Sequence, residues 1–417
     1  VLQTGQRRGQ ALVEFIEDQI YGLSGSWIFF LNITGHIRVY PDSSASMGVV
    51  YSPGLEICGS SAVALFSPGE YQKRFDRETY EALDVLHEGW FPAGLTAHHG
   101  LLRVLPNHHL DLQTWTAHRH WPHASTDLPP SDPMDVFACV VSHVRGHISA
   151  LSPIGRVAAS LTAGHDSRLL FCAAGSARED MTFMTLDAPI ARVDVWAARR
   201  LCSVFGLDHL VLPVVRASSE AREIWLKDAG HCVGGSNLDT HPSVAPLKDF
   251  AYYIGGVGGE VGRAFLYGPA VTHRTDSRII CSKFGLPPVP KILAAIENWR
   301  KNVPDIPPDQ VMDLAFLELR VGPWAFASSY CTYPTVQLHP LSCRDIYSAM
   351  IGMRPSAKIQ NSMLLDGMQR TEPLAMRVPL NRYGDIRDVL QPLRKLMNPA
   401  KVIAKIRKMR PSWGGEN

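Results

Sequence analysis

The sequence predicts an α/β protein in two parts: an antiparallel, β-rich N-terminal domain over residues 1–112, a linker over 113–133, and a mainly parallel, doubly wound domain over 134–417. Three observations predict it. Up to the linker, short strand-like runs alternate with turn residues, the pattern of an antiparallel sheet. Residues 113–133 hold four prolines and three histidines with few aliphatic side chains, so they cannot bury much surface. From Met134 onward, helix-spaced apolar stripes alternate with continuous apolar runs, which calls for a parallel sheet with crossover helices.

The elements follow in order. Residues 26–33 and 36–40 flank Thr34-Gly35 and predict a hairpin, and residues 48–52 a further strand. Residues 101–105 and 110–112, joined by Pro106-Asn107-His108-His109, predict a second hairpin. Val136, Val140, Val144 and Ile148 recur at i, i+4, so a buried helix stripe is expected there. Residues 156–160 then read as a buried strand, 167–174 as the start of a helix, 181–186 as a strand, 193–205 as a helix and 209–213 as a third strand. In such a sheet, ligands are expected at the carboxyl ends of the strands.

Composition excludes several classes. In 417 residues, 41 Lys and Arg balance 39 Asp and Glu to give +2, so no global field favours nucleic acid or a membrane surface. Eight cysteines are scattered without a Cys-x-x-Cys pair, which predicts reduced core thiols in a cytoplasmic protein rather than zinc ligands or disulfides. The pairs His98-His99 and His108-His109 read as solvated loop histidines. No apolar run of membrane-spanning length and no signal-peptide pattern occur, so a soluble protein is expected.

Chemistry concentrates where the strand 156–160 meets its helix, at Ser160-Leu-Thr-Ala-Gly-His-Asp-Ser-Arg168. A helix N-terminus offers unpaired N–H groups and the positive end of its dipole, which favours an anion such as pyrophosphate. Ala163 and Gly164 permit close backbone approach, Thr162 and Ser167 supply hydroxyls, and Asp166 offers an oxygen that could hold a Mg2+ bridging phosphates. An ordinary turn capped by Ser and Asp is the alternative. The Walker pattern is absent, because no Gly-Lys-Ser/Thr follows. A second glycine-rich segment, Gly255-Gly256-Val257-Gly258-Gly259-Glu260, again follows an apolar run and again misses G-x-G-x-x-G.

The segment Thr162-Ala163-Gly164-His165-Asp166-Ser167 resembles the PP-loop, Ser-Gly-Gly-x-Asp-Ser, of the asparagine synthetase family and its ATP-pyrophosphatase relatives, differing at the first two positions. Residues 254–263 are similar to that family's Ser-Gly-x-Gly-x-Asp-Glu segment. The Tyr40-Pro-Asp42 turn and the Leu105-Pro106 stretch resemble the family's N-terminal amidotransferase-like domain, of the Ntn type. That domain opens with a catalytic cysteine in glutamine-dependent members, whereas this sequence reads Val1-Leu-Gln-Thr, so a degenerate remnant without glutaminase activity is expected.

The resemblance implies ATP and Mg2+ as cofactors and a site assembled from both segments. Ser160, Thr162, Ala163, Gly164, His165, Asp166 and Ser167 would hold the pyrophosphate, with Gly256 and Gly258 beside it. Asp166 and Glu260 would ligate the metal, unless Glu260 only complements a helix dipole. The backbone of Thr185 and Leu186 would read adenine, although a plain apolar strand explains those residues too. Asp194 either caps its helix, the simpler role, or orders the loop.

Two departures bear on mechanism. Val257 stands where ammonia-using members carry glutamate, and Asn361-Ser-Met-Leu-Leu-Asp366 lacks the late lysine of Gly-Lys-x-x-Leu-Arg. Charge compensation on pyrophosphate then falls to Lys358, Arg263, Arg354 or Arg168, with a solvated surface position as the alternative for Lys358. Together with Glu260, Lys358 and Arg263 form the catalytic set. Asn237, Asp239 and His241 line an acceptor pocket or a surface connection, and Glu318 and Arg320 reach the cleft or end a helix at Gly322-Pro323.

The implied activity is an amide-forming ligase that adenylates a carboxylate and transfers the acyl group to an amine, as in β-lactam synthetases and lasso-peptide cyclases. A tRNA-modifying PP-loop enzyme and a non-catalytic nucleotide-binding scaffold are the other classes. Partners are small-molecule or peptide carboxylates and amines, with no membrane and no nucleic acid, and a homodimer or pathway partner protein left open. The basic stretch Lys401 to Arg410, after Arg394-Lys395, reads as a terminal helix or a basic binding tail.

Overall fold

Alternation along a single strand explains how the parallel sheet is covered. In this computed structural model, which describes residues 5, 7–189, 191–268, 274–330 and 335–388, the central strand is Val157–Ser160. Val157 and Ala159 pack into the main core with Phe171, Phe183 and Leu201, whereas Ala158 packs with Met184, Leu212, Val244, Leu247 and Phe250. Successive side chains point to opposite faces, so both faces are buried. Helices Pro133–Leu151, His165–Ala174 and Arg192–Phe205 supply residues to the first cluster, and the 3-10 segment His241–Asp249 supplies the second. The expected stripe Val136, Val140, Val144 and Ile148 is buried throughout.

Seven strands precede this sheet. Strands β1 (Ile28–Ile33), β2 (His36–Pro41), β6 (His108–Asp111) and β7 (Thr116–Arg119) form an antiparallel sheet in the order β1-β2-β6-β7. A smaller sheet has the order β4-β3-β5, with β3 at Val50–Ser52, β4 at Ile57–Gly59 and β5 at Leu102–Arg103. Val39 and Leu110 of the first sheet share an apolar cluster with Tyr51 of the second, so the two sheets have a common core. Five parallel strands follow: β8 (Val157–Ser160), β9 (Met181–Asp187), β10 (His209–Pro213), β11 (Tyr252–Ile254) and β12 (Val336–Leu338), ordered β10-β9-β8-β11-β12. The chain therefore winds outward from β8 to β10 and restarts on the other side at β11. At such a reversal, ligands are expected in the crevice at the carboxyl ends of the flanking strands, here β8 and β11.

The structure corrects several expectations. The second hairpin is not 101–105 with 110–112: Leu102 pairs with Tyr51, and the true hairpin joins β6 to β7. The carboxylate of Asp111 builds its turn by accepting from the Gln113 and Thr114 amides at 2.8 and 3.1 Å. The segment 113–133 is thus not wholly a linker. An N-terminal helix, Gly9–Tyr21, buries Val13, Ile16 and Ile20 against Leu31 and Tyr40 and was not anticipated.

His98, His108 and His109 are buried rather than solvated, and burial pushes their imidazoles down to about 3, 4 and 3. Gly322-Pro323 does not stop a helix, since Phe316–Val321 runs on into Gly322–Tyr330. Residues 1–4, Cys331 and the basic stretch 394–410 lie outside the described residues. No helix among the described residues is long and apolar enough to cross a membrane.

Candidate functional site

The crevice between β8 and β11 brings two sequence segments together through their small residues. A Cβ added at Gly256 would stand 3.2 Å from the Cβ of Asp166, and one at Gly259 would stand 2.5 Å from Asp166 Oδ1. Glycine at both positions lets the turn after β11 lie close to the first turn of the His165–Ala174 helix without displacing the Asp166 side chain. At Gly258, φ is +105° and an added Cβ would meet the Tyr347 hydroxyl at 2.4 Å. The turn then enters the 3-10 segment Gly259–Arg263 rather than the expected helix.

This packing gathers Asp166, Glu260 and Arg263. Arg263 Nη2 donates to Asp166 Oδ2 at 2.9 Å and lies 4.0 Å from Glu260 Oε1. Glu260 also accepts from the Gly258 amide at 3.3 Å. Burial, followed by repulsion from Glu260, pushes the Asp166 carboxyl up to about 7, against the opposing pull of Arg263. Its second oxygen, Oδ1, is buried and has no hydrogen-bond partner. Two carboxylates with one buried, unpartnered oxygen suit a hard cation such as Mg2+, which takes oxygen ligands and keeps waters or phosphates on the rest of its shell.

The loop before the helix is closed by its own side chains. Thr162 N donates to Ser167 Oγ at 3.0 Å, the two hydroxyls lie 2.8 Å apart, and Gly164 N donates to Thr162 Oγ1 at 3.0 Å. Ala163 N donates to Asp194 Oδ1 at 2.9 Å. Asp194 therefore orders the loop and does not cap its helix, whose N-cap is Ala191. Asn381, which the sequence reading missed, donates its backbone N–H to Ala163 O at 2.8 Å and sets its side-chain amide nitrogen 3.2 Å from His165 Nδ1. Burial, then the charges of Arg263 and Arg168, hold His165 below the usual imidazole value. Thr185 donates its hydroxyl to Leu161 O at 2.6 Å, tying the end of β9 to the loop, and Leu186 follows it in the same strand. Ser160 is the last residue of β8, beside β11 in the sheet, and burial pushes the Tyr253 hydroxyl up against an opposing effect of Ser160.

Of the four candidate cations, the structure places Arg263 between the carboxylates. Lys358 is fully buried, not solvated, and its ammonium donates to Asp313 at 2.5 Å and Ile351 O at 2.9 Å, with Asp309 at 3.6 Å. Arg168 is fully buried and donates to the carbonyls of Ala375 and Val378. Glu318 is likewise neither solvated nor in the crevice. It accepts from Arg119 at 2.7 Å on each oxygen, from Asn107 at 2.9 Å and from Trp299 at 2.6 Å. Arg320 stacks over Trp90 and Trp324.

The acceptor candidates stand apart from the loop. Asp239 pairs with Arg222 at 3.0 Å, His241 faces the Leu238 carbonyl at 3.2 Å, and both lie with Asn237 near the connection after β10. The partners of the Asp239 and His241 side chains, Arg222 and the Leu238 carbonyl, lie outside the 160–168 loop. Comparison with known proteins adds no relative: no family model matches the chain, and no curated protein sequence does.

Proposed function

We propose that the crevice binds Mg·ATP and that the chain is an AMP-forming ligase of the asparagine synthetase-like kind, joining a carboxylate to an amine without glutaminase activity. The observation that carries this reading is the convergence of Asp166, Glu260 and Arg263 where the strand order reverses, with Asp166 Oδ1 lacking a partner. Mg2+ held by the two carboxylates would neutralise the phosphates and the departing pyrophosphate. Arg263 is the cation on hand to share that charge, and the N-terminus of the His165–Ala174 helix, which has no side-chain cap, adds the positive end of its dipole. A substrate carboxylate would take the α-phosphorus, releasing pyrophosphate, and an amine would then displace AMP. The finer architecture belongs to the same proposal: the N-terminal antiparallel sheets as the amidotransferase-like layer, the parallel sheet as the PP-loop synthetase layer. Val257 in the acceptor position favours an amine larger than ammonia, or an intramolecular one as in lasso-peptide or β-lactam-type cyclisation.

A second reading, a nucleotide-binding scaffold without catalysis, draws on a different observation. The Thr162, Ala163 and Gly164 amides already have side-chain acceptors, and Lys358 is committed to Asp313. Calorimetry with ATP at saturating Mg2+, followed by an assay for AMP and pyrophosphate across a panel of carboxylates, separates the two. Binding that Asp166→Ala abolishes, together with AMP release, supports the ligase. Binding without AMP under any condition supports the scaffold, and unchanged binding in Asp166→Ala refutes both.

A further inference from the structure

A second cluster of ligating side chains lies outside the crevice and uses none of its residues. His143 is on the Pro133–Leu151 helix, Cys343 is the residue before the Arg344–Gly352 helix, and Asp345 is in that helix's first turn. One ligand atom from each, imidazole nitrogen, thiol sulfur and carboxylate oxygen, falls within 4.8 Å of the other two. Cys343 is fully buried, His143 half-buried and Asp345 exposed, so the set runs from the interior to solvent and has an entry path. The Cys343 Sγ to His143 Nε2 separation is 3.6 Å. A tetrahedral zinc, with bonds of about 2.3 Å to sulfur and 2.0 Å to nitrogen, separates those two atoms by about 3.5 Å.

From this juxtaposition we propose that His143, Cys343 and Asp345 form a binding site for a borderline-soft divalent cation of the zinc class. The donor set selects against Mg2+, which prefers oxygen alone, and matches Zn2+, which accepts nitrogen, sulfur and oxygen in one shell. The elements that carry the ligands give the site a structural role. Cys343 pairs with Ser24 in an isolated antiparallel bridge, and its thiol faces the Tyr21 carbonyl at 3.5 Å. A Cβ added at Gly22 would lie 3.7 Å from Asp345 Oδ2. A cation here would cross-link the Pro133–Leu151 helix to the start of the Arg344–Gly352 helix, directly beneath the end of the Gly9–Tyr21 helix. Three ligands leave a fourth position for water. Cys139, one helical turn before His143 on the same face, flanks the site without being needed for it.

The test uses the full chain, stripped with EDTA and titrated with Co2+ as a spectroscopic stand-in for zinc. Wild type is expected to show a thiolate-to-cobalt charge-transfer band that saturates at one equivalent, is displaced by Zn2+ and is untouched by excess Mg2+. Cys343→Ser should abolish the band. His143→Ala and Asp345→Asn, at less buried positions where folding is safer, should each weaken Co2+ binding by at least the roughly 10–100-fold that loss of an outer-shell partner causes. Absence of the band in wild type would overturn the site and reduce the Cys343–His143 approach to a hydrogen bond. So would a band unchanged in both His143→Ala and Cys343→Ser, or one lost only in Cys139→Ser.

Discussion

Replacing Asp166 by asparagine is expected to stabilise the folded protein above pH 7, although it removes one partner of an ion pair. Asp166 has about 7 as its folded value against 3.8 for an ordinary aspartate, because burial and the neighbouring Glu260 outweigh Arg263. Between those values the folded chain holds a proton that the unfolded chain has released. A raised carboxyl therefore contributes most below about pH 4, and that contribution disappears as pH rises through about 7. Fully ionised, the shift corresponds to as much as about 4 kcal/mol, and about 2–4 kcal/mol is a fair expectation for a side chain that is 23% exposed. Asparagine keeps the shape, can turn its oxygen to Arg263, and has nothing to ionise.

Urea unfolding of both proteins at intervals from pH 4 to pH 9 measures the difference. The asparagine variant should gain on wild type from about pH 4 to pH 7 and hold a constant lead beyond. A difference that does not vary with pH, or a variant that loses ground as pH rises, would show that Asp166 is not held neutral by its surroundings. The same variant should lose Mg2+-dependent nucleotide binding, the trade between stability and activity expected of a strained site.

Two further outcomes concern the frame around the site. Glu318→Ala leaves the Arg119 guanidinium, the Asn107 amide and the Trp299 N–H without their shared acceptor in a fully buried position, and should cost about 3–5 kcal/mol in urea unfolding at pH 7. Burial alone would raise Glu318, but Arg119 and the other donors hold it below the usual carboxylate value, so its contribution is present at neutral pH and fades as pH falls through that lowered value. Asp194→Ala removes the acceptor for Ala163 N and should cost about 1–2 kcal/mol, with faster amide exchange at Ala163 while amides in β9 keep their protection.

Legibility in the sequence followed the range of the interaction. The run from β8 through β10 is set by local apolar pattern, and its strands and helices fall within a residue or two of their expected bounds. Three-residue β12 carries no period to detect, and β7 hides in a stretch that composition marks as a linker. The sign of a charged residue's environment was the least legible property. Nothing near Lys358 or Glu318 in sequence announces Asp313 or Arg119, which lie 45 and 199 residues away and decide that both charges are buried. The meeting of Asp166 with Glu260 was expected only through family resemblance, whereas the Arg263 contact that joins them is a product of the Gly259–Arg263 turn.

The closed hydrogen bonding of the loop has a chemical consequence. A phosphate entering at Thr162 to Gly164 must compete with acceptors already in place, the Ser167 and Thr162 hydroxyls and the Asp194 carboxylate. Exchanging one acceptor for another is close to neutral in hydrogen-bond energy, so the loop amides alone supply little net affinity. Two groups in the crevice lack a partner, Asp166 Oδ1 and Arg263 Nε, and the first sits beside the Glu260 carboxylate. On the proposed function, affinity should therefore reside in a cation on Asp166 and a phosphate beside Arg263, with the loop setting position rather than strength. If the crevice holds Mg·ATP as proposed, Mg2+ and nucleotide should bind cooperatively, and calorimetry with nucleotide alone should show binding much weaker than with the divalent ion present.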